Sequence, residues 1–362
     1  MDRRHFLRLS AAAAATAALP WREALASTAG EWRNYEITTR VAILKPQGVS
    51  RAWIPLPMTL DTDWQRGLGS TWTGNASTAR ILRDGKYGAA MLYAEWSAGT
   101  SQPVIEVASA FQTRDRQVDP ARPVTNAEKL SADEVAFYTA ATELIPTDGI
   151  VRETASEIVH GARGNTEKAR RIYEWVVENT FRDPKTKGCG WGDIKGMLET
   201  GNLGGKCGDL NALFVGLARA SGVPARDVYG IRVAPSRLGY KSLGVGAANI
   251  TKAQHCRAEF FAPGVGWVPV DPADVRKVVL EEPPTKLKID DPKVVAARKR
   301  LFGGWEMNWL AYNTAHDVAL PNSTGPAIPY FMYVNAETAA GRLDPLEPDG
   351  VAYEIRTNGV KA

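Results

Sequence analysis

The hydrophobic period of this chain changes near residue 120, and that change limits the folds open to it. Between Arg33 and Arg116 the apolar residues fall in short runs at 35–44, 49–55, 79–83, 89–96 and 104–113, separated by Gly, Pro, Asn and Ser. Five such runs with turn signals and no helical period predict an antiparallel, sandwich-like β module over 30–118. Trp53, Trp64, Trp72 and Trp96 fall inside it, where they fill a small core in preference to lining a sugar cleft. Segment 115–125 is polar and carries Pro120 and Pro123, so it reads as a linker.

Beyond it a period of 3.6 takes over. Asn165 is placed to cap a helix running to Thr180, with Ile172, Trp175, Val176 and Asn179 at threes and fours. A second helix starts near Cys207, aligns Leu210, Leu213, Phe214, Leu217 and Ala218, and stops at Gly222. Strand signals return at 228–233, 255–262 and 267–270. The second half, 126–362, is therefore α+β, with a C-terminal extension in which 330–334 reads as one buried strand completing that core.

The first residues are an address. Arg3-Arg4 precede a short alanine-rich run, Pro20 and the small-residue site Ala24-Leu25-Ala26. This resembles a twin-arginine export signal over 1–26, and a run of about a dozen residues is too short to span ~30 Å of hydrocarbon. No stable membrane insertion is expected, and the mature protein is expected to be periplasmic or secreted. Removing 1–26 takes away four basic residues (Arg3, Arg4, Arg8, Arg22) and two acidic ones (Asp2, Glu23), leaving 40 basic against 38 acidic from the original 44 and 40. Scattered, nearly balanced charge argues against nucleic acid as a partner.

Three cysteines are too few for a disulfide scaffold, and none is spaced for a zinc knuckle. Histidines 160 and 316 belong to no metal motif, no Asp-x-Asp-x-Asp-Gly calcium loop occurs, and no cofactor is expected. In Gly204-Gly205-Lys206-Cys207-Gly208-Asp209 the glycines leave room for a substrate backbone, and Cys207 sits in the first turn of a helix. There the helix dipole and free N–H groups favour a thiolate and a developing oxyanion. A phosphate loop is excluded, since Thr200 stands where its first glycine belongs and Cys207 replaces the hydroxyl residue.

Downstream, His255-Cys256-Arg257 opens one strand of a hairpin whose other strand ends Trp267-Val268-Pro269-Val270-Asp271-Pro272. If Phe261 pairs with Trp267, Asp271 lies opposite Arg257 and diagonal to His255, able to orient its imidazole; a one-residue slip turns it away. Cys256 points to the other face, into the core. It could pair with Cys189 after export, leaving Cys207 free.

These segments resemble the transglutaminase-like superfamily, relatives of papain-like cysteine proteases. The resemblance rests on the glycine-flanked Cys207 opening a helix that ends near Gly222-Val223-Pro224-Ala225-Arg226, on His255, and on the stretch 264–272, ending Trp-Val-Pro-Val-Asp-Pro. Trp53-Ile54-Pro55-Leu56-Pro57 is similar to the β module preceding the core in bacterial members. The resemblance implies a papain-like core over about 130–290, with Cys207 as nucleophile, His255 as general base and Asp271 as its orienting partner. Trp191 and Asn202 are candidates for a second oxyanion donor. Gly208 and Arg257 depart from the family pattern, which often has an acidic or aromatic residue and a tryptophan there, so unusual substrate contacts are expected.

The function expected is an exported cysteine enzyme acting on peptide or isopeptide bonds, possible envelope peptides among them, through a thioester and more by hydrolysis than by cross-linking. The competing expectation is a non-catalytic envelope module that binds peptides, proteins or glycans.

Overall fold

The structure, a computed structural model, describes residues 30–360, so the signal read at 1–26 lies outside it. The first half is all β: β1 (Arg33–Ile43), β2 (Ser50–Pro55), β3 (Gln65–Gly74), β4 (Thr78–Arg83), β5 (Ala90–Trp96), β6 (Val104–Thr113) and the short β7 (Arg116–Gln117). On β6, buried and half-exposed residues alternate along its whole length, the mark of a strand with one face on a core. Trp53, Trp64 and Trp96 are buried; Trp96 and Trp72 pack in the module's own apolar cluster, whereas Trp53 shares a cluster with Phe331 and Trp64 packs against Trp305 and Trp309 of the second half.

The second half follows as α1 (Ala132–Thr139), α2 (Gly149–Ile158), α3 (Gly164–Asn179), β8 (Phe181–Arg182), α4 (Ile194–Thr200), β9 (Gly204–Gly205), α5 (Cys207–Ala220), β10 (Ala225–Arg232), β11 (Gln254–Ala262), β12 (Gly266–Val270), α6 (Pro272–Glu281) and α7 (Pro292–Arg300). Then come β13 (Gly304–Trp305), β14 (Trp309–Asn313), β15 (His316–Val318), β16 (Ile328–Tyr330), β17 (Asn335–Thr338), β18 (Gly341–Leu343) and β19 (Val351–Thr357). Every residue of α5 from Cys207 to Arg219 is buried, because α2 and α3 cover one side and the β10–β11 face the other. A helix so enclosed is a rigid support for whatever stands at its N-terminus. Its sheet runs β12-β11-β10-β14.

Four expectations are corrected. Asn165 is inside α3, which Arg163 precedes as N-cap, and its side-chain amide donates to Phe261 O at 2.9 Å, tying the helix to the hairpin. The linker is partly built into the fold: β7 pairs with β13, and buried Arg116 bonds Glu259, which also takes Arg226 at 2.7 Å. Residues 331–334 are buried but irregular, so no strand runs through 330–334. The C-terminal extension does not complete the α+β core alone. β17 pairs with β2 and β19 with β1, giving sheets β18-β17-β2-β5-β4 and β19-β1-β6-β3.

Candidate active site

Three elements bring the chemistry together. Cys207 is the first residue of α5, His255 the second of β11, and Asp271 follows the last residue of β12. The hairpin register is the one that keeps Asp271 on the histidine's side: Phe261 pairs with Trp267 and Ala258 with Val270. Asp271 is also the N-cap of α6, its Oδ1 accepting from Asp274 N at 3.0 Å with Pro272 at the next position. Its Oδ2 lies 2.7 Å from His255 Nε2. That contact leaves Nδ1 as the ring's other nitrogen, and the imidazole is near enough to Cys207 to help lower its thiol pKa. All three side chains are buried to within about 5%.

The surroundings set the charges. Burial and the Arg232 guanidinium press His255 toward neutrality, but the Asp274 and Asp271 carboxylates outweigh them, and its pKa is raised to about 9. Hydrogen bonds from the Cys189 and Cys256 thiols, helped by His255 and opposed by burial, hold the Cys207 thiol well below its ordinary value. Thiolate and imidazolium are therefore the stable pair near neutrality. Asp274 is a second carboxylate on the imidazole, 3.4 Å from Nε2, and Arg232 grips both its oxygens at 2.6 and 2.7 Å. Sequence reading missed Asp274 and Arg232. The only signal for Asp274 was its place three residues after a capping aspartate.

Arg257 is no substrate contact. It is buried 4.7 Å over the Trp309 ring, with Nε 3.6 Å from Asp271 Oδ2, behind the aspartate. Trp309 Nε1 in turn donates to His255 O at 3.0 Å. The glycines around Cys207 also serve the chain itself: a Cβ on Gly208 would meet Cys189 O at 2.7 Å, the oxygen that accepts the Gly208 N–H. Asp209 joins the same loop to the helix by accepting from Gly192 N and Lys206 N, each at 3.0 Å.

A cavity of about 720 Å³ opens over the site, lined by Cys207, His255, Cys189 and Gln254 on one side and by Tyr333 and Tyr353 from the C-terminal segment on another. Neither Trp191 nor Asn202 lines it. Trp191 is 66% exposed beside a separate, shallow depression, and Asn202 Oδ1 is turned to Gly204 N at 3.2 Å. Two other donors do face this region. The first-turn N–H groups of Gly208, Asp209 and Leu210 are bonded, which leaves that of Cys207 without a backbone acceptor among the described residues. The Gln254 amide nitrogen is buried and has no hydrogen-bond partner among them either. Cys189, Cys207 and Cys256 are all free thiols, so no Cys189–Cys256 disulfide is formed. Cys256 is a core residue as expected, but its sulfur turns toward the other two. His160 is exposed, while His316 is buried with Tyr229 OH 3.3 Å from its Nδ1.

A family model for the transglutaminase-like superfamily matches residues 152–272, and one for twin-arginine translocation signal sequences matches 1–20. An uncharacterized protein of Haemophilus influenzae is 37% identical over 337 residues, covering 88% of this chain and 90% of its own. A crystal structure from Cytophaga hutchinsonii, described as a candidate cysteine protease, aligns with a TM-score of 0.53 at 13% identity, over 91% of this chain and 99% of that one. That last likeness is one of fold. No helix among the described residues is long and apolar enough to cross a membrane. Behind a β-rich module and a twin-arginine signal, this chain carries a core of the transglutaminase-like superfamily over residues 152–272 and is exported to the periplasm or beyond.

Proposed function

We propose that the protein is a Cys-His-Asp acyl-transfer enzyme that cleaves peptide or isopeptide amides. The observation that carries this reading is the 2.7 Å contact between His255 Nε2 and Asp271 Oδ2, which turns the opposite ring edge to a thiol at a helix N-terminus. Thiolate Cys207 attacks the carbonyl carbon, His255 gives its proton to the leaving amine, and a thioester forms as the C–N bond breaks. Water then attacks the thioester, His255 takes a proton from it, and the acid leaves as the thiolate is restored. The transient oxyanion is held by the Cys207 N–H, which has no backbone acceptor, and the Gln254 amide, which has no hydrogen-bond partner, among the described residues.

Hydrolysis is the favoured outcome because the cavity is open to solvent and water competes with any amine for the thioester. The substrate is expected to be acidic in character and available outside the cytoplasm, envelope peptides being one source. Arg182, Lys187, Lys206, Arg232, Lys252 and Lys277 line the cavity, and no Asp or Glu does among the described residues. Lys187 is shared with Asp344 and Glu347, Arg182 and Lys277 with Glu281, and Arg232 with Asp274, so Lys206 and Lys252 offer the freer charge.

The test is turnover of a peptide library in ¹⁸O-water containing a primary amine, for wild type and Cys207→Ala. New carboxyl ends carrying ¹⁸O, absent with the variant, support hydrolysis. Amine-capped products would instead assign transamidation, and peptide binding without turnover, equal in both proteins, would assign a binding module.

A further inference from the structure

Cys189, Cys207 and Cys256 stand 18 and 49 residues apart in sequence and come from a loop, a helix start and a strand, yet their three sulfurs lie within 4.8 Å of one another. All three are buried, and none is in a disulfide in this structure. Two of them, Cys189 and Cys207, line the open cavity, so the cluster can be reached from solvent. The positions are fixed by separate supports. Cys189 donates its N–H to Tyr333 OH at 2.8 Å and accepts from Gly208 N at 2.7 Å; Cys207 is held by α5; and Cys256 Sγ packs 3.8 Å from Met332 Sδ.

We propose that these three sulfurs form a binding site for a soft d¹⁰ cation, Cu(I) before Zn(II), which blocks the nucleophile while it is bound. A cation with metal–sulfur bonds of about 2.3 Å in a trigonal site sets its sulfurs about 4 Å apart, which is compatible with three sulfurs that lie within 4.8 Å of one another. A disulfide would use two sulfurs, would close them to about 2.05 Å and would leave the third unexplained. Thiolate donors select soft ions, and Cu(I) is satisfied by three of them. Zn(II) prefers a fourth ligand, which here water from the cavity would supply. Binding releases the thiol protons of Cys189 and Cys256, Cys207 already being a thiolate, and leaves the oxidation state of the metal unchanged. That the bound ion stops turnover rests on the acyl-transfer reading; that it binds does not.

The experiment titrates reduced, metal-free mature protein anaerobically with Cu(I) held by a competing chelator, and in parallel with Zn(II). The expected result is one Cu(I) per chain, X-ray absorption with three sulfurs near 2.3 Å, and loss of iodoacetamide labelling at Cys207 on adding one equivalent. Cys189→Ala and Cys256→Ala, checked for folding by circular dichroism, should each weaken binding at least about tenfold. Zn(II) held by the same three sulfurs also supports the site. Absence of binding, fewer than three sulfurs in the unmodified protein, or affinity unchanged in a folded variant overturns it. So does a two-dalton loss on exposure to air that replaces metal uptake, since the cluster would then be a disulfide pair. Fast Cys207 labelling in metal-free protein that takes up no metal would end this inference and leave the acyl-transfer reading intact; slow labelling with full metal uptake would do the reverse.

Discussion

The Asp271 carboxylate serves two structures at once, capping α6 through Oδ1 and holding His255 through Oδ2. Asn211 Nδ2 adds a third contact at 3.3 Å to Oδ1. Asp271→Asn keeps the cap acceptor but removes the charge opposite the imidazolium, and kcat/KM should fall on the order of 10³-fold or more with little change in fold. The sign of the pH dependence follows from the two partners. The thiolate–imidazolium pair forms above the lowered Cys207 pKa and is lost as pH rises through the His255 value of about 9. The kcat/KM profile should therefore drop on its alkaline side near pH 9, and Asp271→Asn should move that limb to lower pH; a limb that stays put would separate it from His255. Gln254→Ala should lower kcat by roughly 10²-fold with KM little altered, as loss of one oxyanion donor does, measured on any peptide the wild type cleaves. Cys207, His255 and Asp271 were legible because chemistry fixes their residue types and hairpin alternation fixes their side. Gln254 was not, because its signal is an unpartnered buried amide, a property of the fold alone.

Elements succeed or fail by what covers them. Strand β10 lies between β11 and β14, with Gly230 directly across from His255. A Cβ there would collide with Leu310 O and the Trp309 ring, the ring that supports the His255 carbonyl. Gly230→Ala should cost about 1–3 kcal/mol, seen as a lower urea midpoint, and should reduce activity by tilting His255. Glu259 is fully buried between Arg116 and Arg226. Glu259→Ala leaves the buried Arg116 guanidinium without its charge partner and should destabilise the protein by about 3–5 kcal/mol in the same assay. The strands with apolar alternation, and the α3 and α5 helices, were readable from periodicity. Strand β3 was not: its Gly-, Ser- and Thr-rich stretch is largely exposed at a sheet edge, so hydrogen bonding to β6 defines it and no buried face marks it. The Asn165 cap failed because α3 begins earlier, at Gly164 with Arg163 as N-cap, which puts Asn165 inside the first turn, where its amide donates to the tertiary acceptor Phe261 O.

At the scale of the whole molecule the two halves are joined by more than a linker. The chain ends return to the first half's sheets, and the last segment also reaches the site: Tyr333 OH receives Cys189 N–H, and Tyr330 OH donates to Gly190 O at 2.6 Å. Sequence order hid this, since pairing between β1 and β19 joins residues more than 300 apart and β17 is polar. A fragment of residues 126–334 should therefore lack the cooperative unfolding transition of the mature chain, checked by circular dichroism against urea. The central claim is that Cys207 is an activated thiolate to which the His255 imidazolium contributes as its ion-pair partner. Mature wild type and His255→Ala should be treated briefly with limiting iodoacetamide near pH 6, where an ordinary thiol of pKa ~8.5 is almost wholly protonated, and weighed intact. Fast single labelling at Cys207 that is lost in the variant is the predicted result. Slow labelling, equal in both proteins, would contradict it.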